Sequence, residues 1–220
     1  MNILFPQVNA PFTIRDDKIN QIIIESPVDL YILITELSSQ ISKNDGDIIL
    51  SDGNKLLDIS KIVDLTTDYF PFEVNKKSLV SKLYTIMKED AINESTYETN
   101  EIISRVSKYL VDISNDHDYN IEFEQLDVVA LFKACNVRFC DDAESLEEKV
   151  VNYCKNTITM LGDKVFVFVS LRNYLSDKSF EYFKKMVIDN KLKVILIEAV
   201  ERPKKELENT LIVDMDRCLI

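Results

Sequence analysis

The residues best able to bind a cation lie in one acidic stretch, Asp112–Asp127. Oxygen-bearing side chains occupy every second position of its first half, as in an EF-hand calcium loop: Asp112, Ser114, Asp116, Asp118 and Asn120. The match then fails, because His117 stands where the sharp turn requires glycine and Phe123 where the bidentate glutamate belongs. The stretch is therefore not an EF-hand.

A looser calcium site is one interpretation of the same stretch. Its ligands would be Asp118, Glu122, Glu124 and Asp127, since closely spaced carboxylates repel each other unless a cation or solvent separates them. The other interpretation is a solvated acidic loop that holds no ion. Spacing alone does not decide between the two.

Side chains that could carry catalysis are sparse. His117 is the only histidine, and it lies between Asp116 and Asp118, where we expect a solvated position rather than a catalytic one. No Gly-x-Ser-x-Gly turn accompanies it, which argues against an esterase-type triad. The four cysteines lack Cys-x-x-Cys spacing, so we expect buried reduced thiols rather than a zinc site. These observations argue against an esterase and against a thiol protease.

A strand that runs directly into a helix occupies the place where a nucleotide-binding α/β domain carries its phosphate loop. Strand Gln21–Glu25 is followed by Ser26, Pro27 and Asp29, and none of the three glycines lies between strand and helix. Ser26 is expected to cap the helix, with Pro27 as its first residue and Asp29 filling the anion site at the helix N-terminus. This predicts an α/β scaffold of nucleotide-hydrolase type that binds no nucleotide.

The apolar pattern divides the chain into an α/β head, split in sequence, and a helical leg inserted in its middle. Residues 1–60 and 137–220 form the head, because apolar runs of strand length alternate there with helical stripes. Residues 61–136 form the leg, in which two helical stripes separated by polar Asn93–Asn100 predict an antiparallel hairpin. The predicted strands are Ile3–Phe5, Phe12–Ile14, Gln21–Ile24, Ile48–Leu50, Asn136–Phe139, Val165–Val169 and Val194–Ile197. The predicted helices besides the hairpin are Pro27–Ser42, Glu124–Ala134, Ala143–Leu161 and Asp177–Asp189.

Two of these runs predict parallel pairing. Val165–Val169 and Val194–Ile197 are continuously apolar and have a helical segment between them, as expected for adjacent strands buried on both faces.

Charge and hydropathy indicate a cytoplasmic protein with no membrane segment. No apolar stretch reaches the roughly 18 residues needed to span a bilayer. The first residues, Met1–Pro6, contain neither a basic stretch nor an apolar run of signal-peptide length. The formal net charge of −12 repels nucleic acid on average. A polyanion partner would therefore have to meet a local basic surface, or metal ions that neutralise the acids.

The order of these parts resembles the spacer-acquisition protein of type II-A CRISPR loci, a family of ring-forming proteins that bind DNA ends. The resemblance covers essentially the whole chain. The segments that carry it are Thr67–Asn75, Ile121–Glu124, Lys164–Val169 and Leu196–Glu198, with the terminal Ile212–Ile220.

The resemblance implies a homotetrameric ring that encircles double-stranded DNA, loads from free ends and supports acquisition of new spacers without cutting. It implies calcium held at the leg, at Glu122 and Glu124 with Asp118 nearby, and other CRISPR adaptation proteins as partners. For DNA contact we nominate Lys76, Lys77 and Lys82, which are basic and lie near the start of the leg. Binding is expected to be independent of sequence and weakened by salt.

Two other functions remain open at this stage. One is a metal-dependent nuclease or phosphohydrolase that uses the acids of the leg, although two-metal chemistry needs carboxylates that converge about 4 Å apart in a cleft. The other is a scaffold that binds adaptation proteins and no DNA.

Overall fold

The computed structural model describes residues 1–6, 8, 10–116, 122–203 and 206–220. Its elements are numbered in chain order. The strands are β1 Asn2–Leu4, β2 Pro11–Thr13, β3 Ile19–Ile24, β4 Ile49–Asp52, β5 Lys55–Leu57, β6 Val63–Thr66, β7 Val165–Val169, β8 Lys193–Glu198 and β9 Glu208–Val213. The helices are α1 Pro27–Ile41, α2 Ile59–Ile62, α3 Lys77–Asn93, α4 Thr96–Asp116, α5 Val128–Ala134, α6 Leu146–Leu161 and α7 Asp177–Asp189, with a 3₁₀ turn at Leu171–Tyr174.

A parallel sheet of order β6-β7-β8-β3-β9 is the centre of the first compact unit, which comprises Met1–Val74 and Asp141–Ile220. Every residue of β3 and β7 is buried, as expected for strands that are covered on both faces of the sheet. Val167 of β7 lies opposite Ile195 of β8 in parallel register. The predicted parallel pair and the predicted mixed α/β class are therefore confirmed.

A smaller antiparallel sheet of order β2-β1-β4-β5 packs onto the same core. Ile3 of β1 and Leu50 of β4 share one buried cluster with Leu33 and Leu37 of α1 and with Val167 of β7. Helix α1 thus presents one apolar stripe to the head core, as its sequence pattern predicted.

The second compact unit is Asn75–Cys140 and is helical. Helix α3 packs against α4 and α5, with the rings of Tyr84 and Phe132 6.2 Å apart. Only Glu94 and Ser95 separate α3 from α4, a shorter link than the predicted Asn93–Asn100, because Thr96 onwards already belongs to α4. Thr99 Oγ1 donates to the carbonyl of Ala91 at 2.9 Å and ties the two helices together at this end.

Two predictions in and around this unit need correction. Residues 136–139 are not a strand: Asn136 takes a positive φ of 50° after α5, and the Asn75 side chain bonds the backbone N–H and C=O of Phe139 at 2.9 and 3.1 Å. The unit also spans 75–140 rather than 61–136, because β6 pairs with β7 and holds residues 61–74 in the head unit.

Candidate functional site

Helix α1 begins where a nucleotide-binding fold would hold phosphate, at the carboxyl end of β3. Only Glu25 and Ser26 connect the strand to the helix, and Pro27 is the first helical residue. Ser26 has extended backbone angles, and its Oγ accepts from the N–H of Asp29 at 3.3 Å. The predicted cap is confirmed. This two-residue connection between β3 and α1 is too short to form a backbone loop around an anion.

The Asp29 carboxylate is held by an arginine that the sequence did not reveal. Arg217 Nε donates to Asp29 Oδ2 at 3.0 Å, and Arg217 Nη2 donates to Oδ1 at 2.8 Å. Asp29 is buried, with 3% of its surface exposed. The Arg217 guanidinium holds the pKa of Asp29 below its usual 3.8, opposed by burial. A fixed carboxylate of this kind repels a phosphate at the same helix N-terminus.

A tight turn after β9 brings Arg217 to this position. Asp214 Oδ1 accepts from the N–H groups of Asp216 and Cys218 at 2.9 and 2.8 Å, and Arg217 itself has a φ of 64°. Val213 and Leu219 form an antiparallel bridge that closes the turn. Asp214 is thus a structural residue here, and the turn directs Arg217 at α1.

The neighbouring strand β8 ends in Glu198, the position at which nucleotide hydrolases often hold magnesium. Glu198 is 4% exposed, and its Oε1 accepts from the backbone N–H of Arg172 at 3.0 Å. Burial raises the pKa of Glu198 from 4.5 to about 7, although Arg172 and Arg202 favour the ionised form. This carboxyl group holds the turn after β7 in place. A metal site would need further acidic side chains close to Glu198, and the described residues bring no such group together.

Arg172 is itself used structurally in the same turn. Its guanidinium lies 4.1 Å from the centre of the Phe180 ring, and its Nη1 donates to the carbonyl of Leu175 at 2.8 Å. Nη2 pairs with Asp177 in the first turn of α7. The guanidinium is therefore occupied within the head unit.

The segment Thr67–Asn75, on which the family resemblance rested, is fixed to the same edge of the sheet by Tyr69. Its hydroxyl donates to the carbonyl of Val169 at 3.0 Å, and its ring lies 5.3 Å from that of Tyr174. The pKa of Tyr69 is raised, mainly because the side chain is buried, so the phenol stays protonated. The carboxyl edge of the sheet is thus filled by protein side chains.

The described acids of the leg do not complete a calcium site. Glu122 and Glu124 are exposed, and Asp127 pairs with Lys88 Nζ at 3.5 Å just before α5. Asp118, the fourth predicted ligand, lies outside the described residues. Among the residues that are described, no three His, Cys, Asp or Glu side chains gather closely enough to hold a metal.

The three lysines nominated for DNA contact lie at the start of α3. Lys76 is the N-cap residue and Lys77 the first helical residue, and Lys77 is exposed. Lys82 follows five positions later and is half-buried. At 3.6 residues per turn, five positions rotate a side chain by about 140°, so Lys77 and Lys82 do not share one face of the helix.

The expectation of four buried thiols is wrong for three of them. Cys154 is buried in α6, whereas Cys135, Cys140 and Cys218 are exposed and unpaired with one another. The exposed thiols lie on surface turns and short segments whose positions a cysteine count cannot predict.

No helix in the described parts of the chain is long and apolar enough to cross a membrane.

Comparisons with known proteins bear on the fold and the family. Stu0660 of Streptococcus thermophilus, a crystal structure, superposes with a TM-score of 0.59 at 12% identity, covering 97% of this chain and 75% of that one. A putative ABC transporter ATP-binding protein from Pyrococcus furiosus gives a TM-score of 0.38 at 11% identity, covering 96% and 94%, which is too low to indicate a shared fold. No curated protein matches the chain. The model of the CRISPR-associated protein family Cas_Csn2 matches residues 40–217. The chain therefore belongs to the Cas_Csn2 family of CRISPR-associated proteins.

Proposed function

We propose that this protein binds double-stranded DNA ends without sequence preference, as a homotetrameric ring, and supports spacer acquisition in a type II-A CRISPR system without catalysing a reaction. Membership of the Cas_Csn2 family gives the chain a CRISPR-associated role, with which spacer acquisition is consistent.

The N-terminus of α1 is the main support for the proposal that the protein catalyses no reaction, because its own side chains fill the site where a phosphate would bind. A nucleotide hydrolase needs free backbone N–H groups and a lysine at this point. Here Ser26 caps the helix and the buried carboxylate of Asp29 occupies its positive end, neutralised by Arg217. The protein therefore keeps an α/β scaffold and does not use nucleotide hydrolysis.

Support for DNA binding comes from charge placement within the leg. Lys76, Lys77 and Lys82 are concentrated at the first two turns of α3 in a protein whose net charge is −12. Contacts to the phosphate backbone need only cations, so lysines on more than one face of a helix can serve if DNA passes beside it. A ring repeats such a modest patch around its axis.

Calcium is part of the proposal as a structural cation. Its candidate ligands among the described residues are Glu122, Glu124 and Asp127, and Asp118 completes the predicted set. A bound cation neutralises carboxylates, which would lower the repulsion between the acidic leg and DNA.

The direct test combines two assays on the full-length protein. Fluorescence anisotropy with two linear duplexes of unrelated sequence should give the same affinity, and calorimetric titration with Mg²⁺–ATP should show no binding. ATP turnover would overturn the non-catalytic part, and a marked preference for one duplex would overturn sequence-independent binding.

A further inference from the structure

A cavity of about 210 Å³ lies in the head unit between the parallel sheet and the connection from β8 to β9. Strand β3 lies between these two parallel strands, so residues 199–207 have to cross one face of the sheet. Such crossovers usually contain a helix that covers the strands. The described residues of this connection form no helix, and the cavity lies on the part of the sheet that a helix would cover.

The floor of the cavity carries two polar side chains that lie side by side. Gln21 of β3 pairs in register with Thr210 of β9, and both line the cavity. Gln21 is only 8% exposed, and its side-chain amide forms no hydrogen bond with the described residues. The Oγ1 atom of Thr210 is buried and also has no partner among them. Buried polar groups without partners cost free energy of folding, so this pair is expected to bind something.

The charged groups near this floor are already engaged within the head unit. Glu208 accepts from Lys184 Nζ at 3.1 Å, and Arg172 lies against the ring of Phe180, 4.1 Å from its centre. Exposed Arg202, at the mouth of the cavity, donates through Nη2 to Asn173 Oδ1 at 3.1 Å. A charged group placed on the floor would therefore find no free counter-charge there, which favours an uncharged ligand.

The remaining contacts and the size of the cavity define the ligand further. Ile23, Ile212, Phe180 and Pro203 supply apolar surface around the polar pair. At about 30 Å³ per molecule the cavity has room for roughly seven waters, and two polar side chains among apolar walls cannot hold that many in place. A cavity of about 150 Å³ is large enough to bind benzene, so this one can take a single ring with a small substituent.

We propose that this cavity binds a small uncharged molecule that carries one carboxamide group on a compact apolar body. The Gln21 amide can donate to the carbonyl oxygen of such a ligand and accept from its amide nitrogen, and the Thr210 hydroxyl offers a further contact. The apolar body of the ligand then packs against Ile23 and Ile212. This binding requires neither DNA nor a ring, so its failure would leave the proposed function standing, and the reverse also holds.

Nicotinamide is the probe, and 3-acetylpyridine is its matched control, because a methyl group replaces the amide nitrogen while the ring and the carbonyl are unchanged. Calorimetric titration of the full-length protein should give a Kd of about 1 mM or lower for nicotinamide. Binding of 3-acetylpyridine should be weaker by about tenfold, since it leaves the Gln21 carbonyl unpaired. No binding of nicotinamide would show that the cavity holds only water, and equal binding of the two molecules would show that the amide is not recognised. Either result would overturn the proposal.

Variants of the floor test which residues recognise the amide. Gln21→Leu should weaken nicotinamide binding by about tenfold and bring the affinities of the two molecules close together, because leucine forms no hydrogen bond. Thr210→Val keeps the shape of the side chain and should weaken nicotinamide binding by about threefold or more. Gln125→Leu makes the same glutamine substitution at an exposed position of the leg and should bind both molecules like the wild type. An unchanged preference for nicotinamide in Gln21→Leu would contradict the proposed contact.

The stability of Gln21→Leu provides a second test that needs no ligand. Because the Gln21 amide has no partner in the free protein, an apolar side chain at this position should leave the protein at least as stable to urea as the wild type. Lower stability of this variant would show that the amide has a structural partner and would overturn the proposal.

Discussion

The guanidinium of Arg217 and the carboxylate of Asp29 form a two-point contact, 3.0 and 2.8 Å long, across 188 positions of sequence. The pair joins the turn after β9 to the N-terminus of α1 and occupies the place of a nucleotide phosphate. One contact thus ties the end of the chain to α1 and places a neutralised carboxylate at the N-terminus of this helix.

Removing Arg217 should make stability less dependent on acid pH. Because Arg217 lowers the pKa of Asp29 below 3.8, the unfolded chain takes up this proton more readily than the folded protein, and stability from the pair is present above about pH 4 and lost below it. Arg217→Gln should therefore be less stable than the wild type at pH 7, and the difference in unfolding free energy should be smaller at pH 3. Urea unfolding at the two values measures this, and an equal gap at both would show that the ion pair is not the cause.

Replacing Glu198 should have the opposite pH dependence. Its pKa of about 7 exceeds the unfolded value of 4.5, so the folded protein binds the extra proton between these values and its stability falls as pH rises through this window. Glu198→Gln mimics the protonated form and keeps an acceptor for the Arg172 N–H. Between pH 4.5 and 8, the free energy of unfolding of the wild type should fall by up to about 3 kcal/mol relative to that of this variant. A difference in unfolding free energy that is constant over this range would refute a raised pKa.

The hydroxyl of Tyr153 should contribute measurably to head stability. It donates to Asp64 Oδ2 at 2.6 Å, and burial is the main cause that raises the pKa of this phenol. Tyr153→Phe removes the donor and should cost about 1–2 kcal/mol, a decrease in Tm of roughly 2–6 °C. Half-exposed Tyr182 of α7 offers the matched control, since Tyr182→Phe should change the Tm by less than about 1–2 °C. Equal effects of the two variants would contradict a special role for the Asp64 bond.

Reversing the charges at the start of α3 should weaken DNA binding. The triple variant Lys76→Glu, Lys77→Glu and Lys82→Glu removes the three cations that we propose contact phosphate, so the slope of log K against log salt should fall by about 2–3 units. Lys155→Glu, at an exposed position of α6 in the head unit, is the single-charge control and should leave the slope nearly unchanged. A triple variant with the wild-type slope would place the DNA contact elsewhere.

How much the sequence reveals differs between the scaffold and the site. Continuous apolar runs such as Val165–Val169 identify buried parallel strands, and Ser26-Pro27 identifies a helix start, because these signals are local. Arg217 could not be paired with Asp29 in advance, since only the fold brings them together. Strands β5 and β9 were missed because polar residues interrupt their apolar runs. Strand β5 is exposed or half-buried throughout, and β9 is buried only at its two ends, Glu208 and Val213.

In the leg, too, the sequence predicts the helices but not the contacts between distant residues. The helical stripes predicted α3 and α4, but its cation site depends on how the carboxylates meet in space. Asp127 is engaged by Lys88, an ion pair that spacing within the acidic stretch cannot reveal. The apolar residues of α4 were visible in the sequence, but only the structure shows which of them stay exposed.

The proposed function is that of a non-cutting ring that loads onto DNA from free ends with the help of calcium. Gel-shift assays with a linear and a covalently closed duplex of the same sequence, each in calcium and in EDTA at fixed ionic strength, test it most directly while cleavage is followed on denaturing gels. We expect the protein to bind the linear duplex, to bind it more weakly in EDTA, and to leave it uncut. Equal binding of the closed duplex would contradict end loading, unchanged binding in EDTA would contradict the role of calcium, and cleavage would show a nuclease.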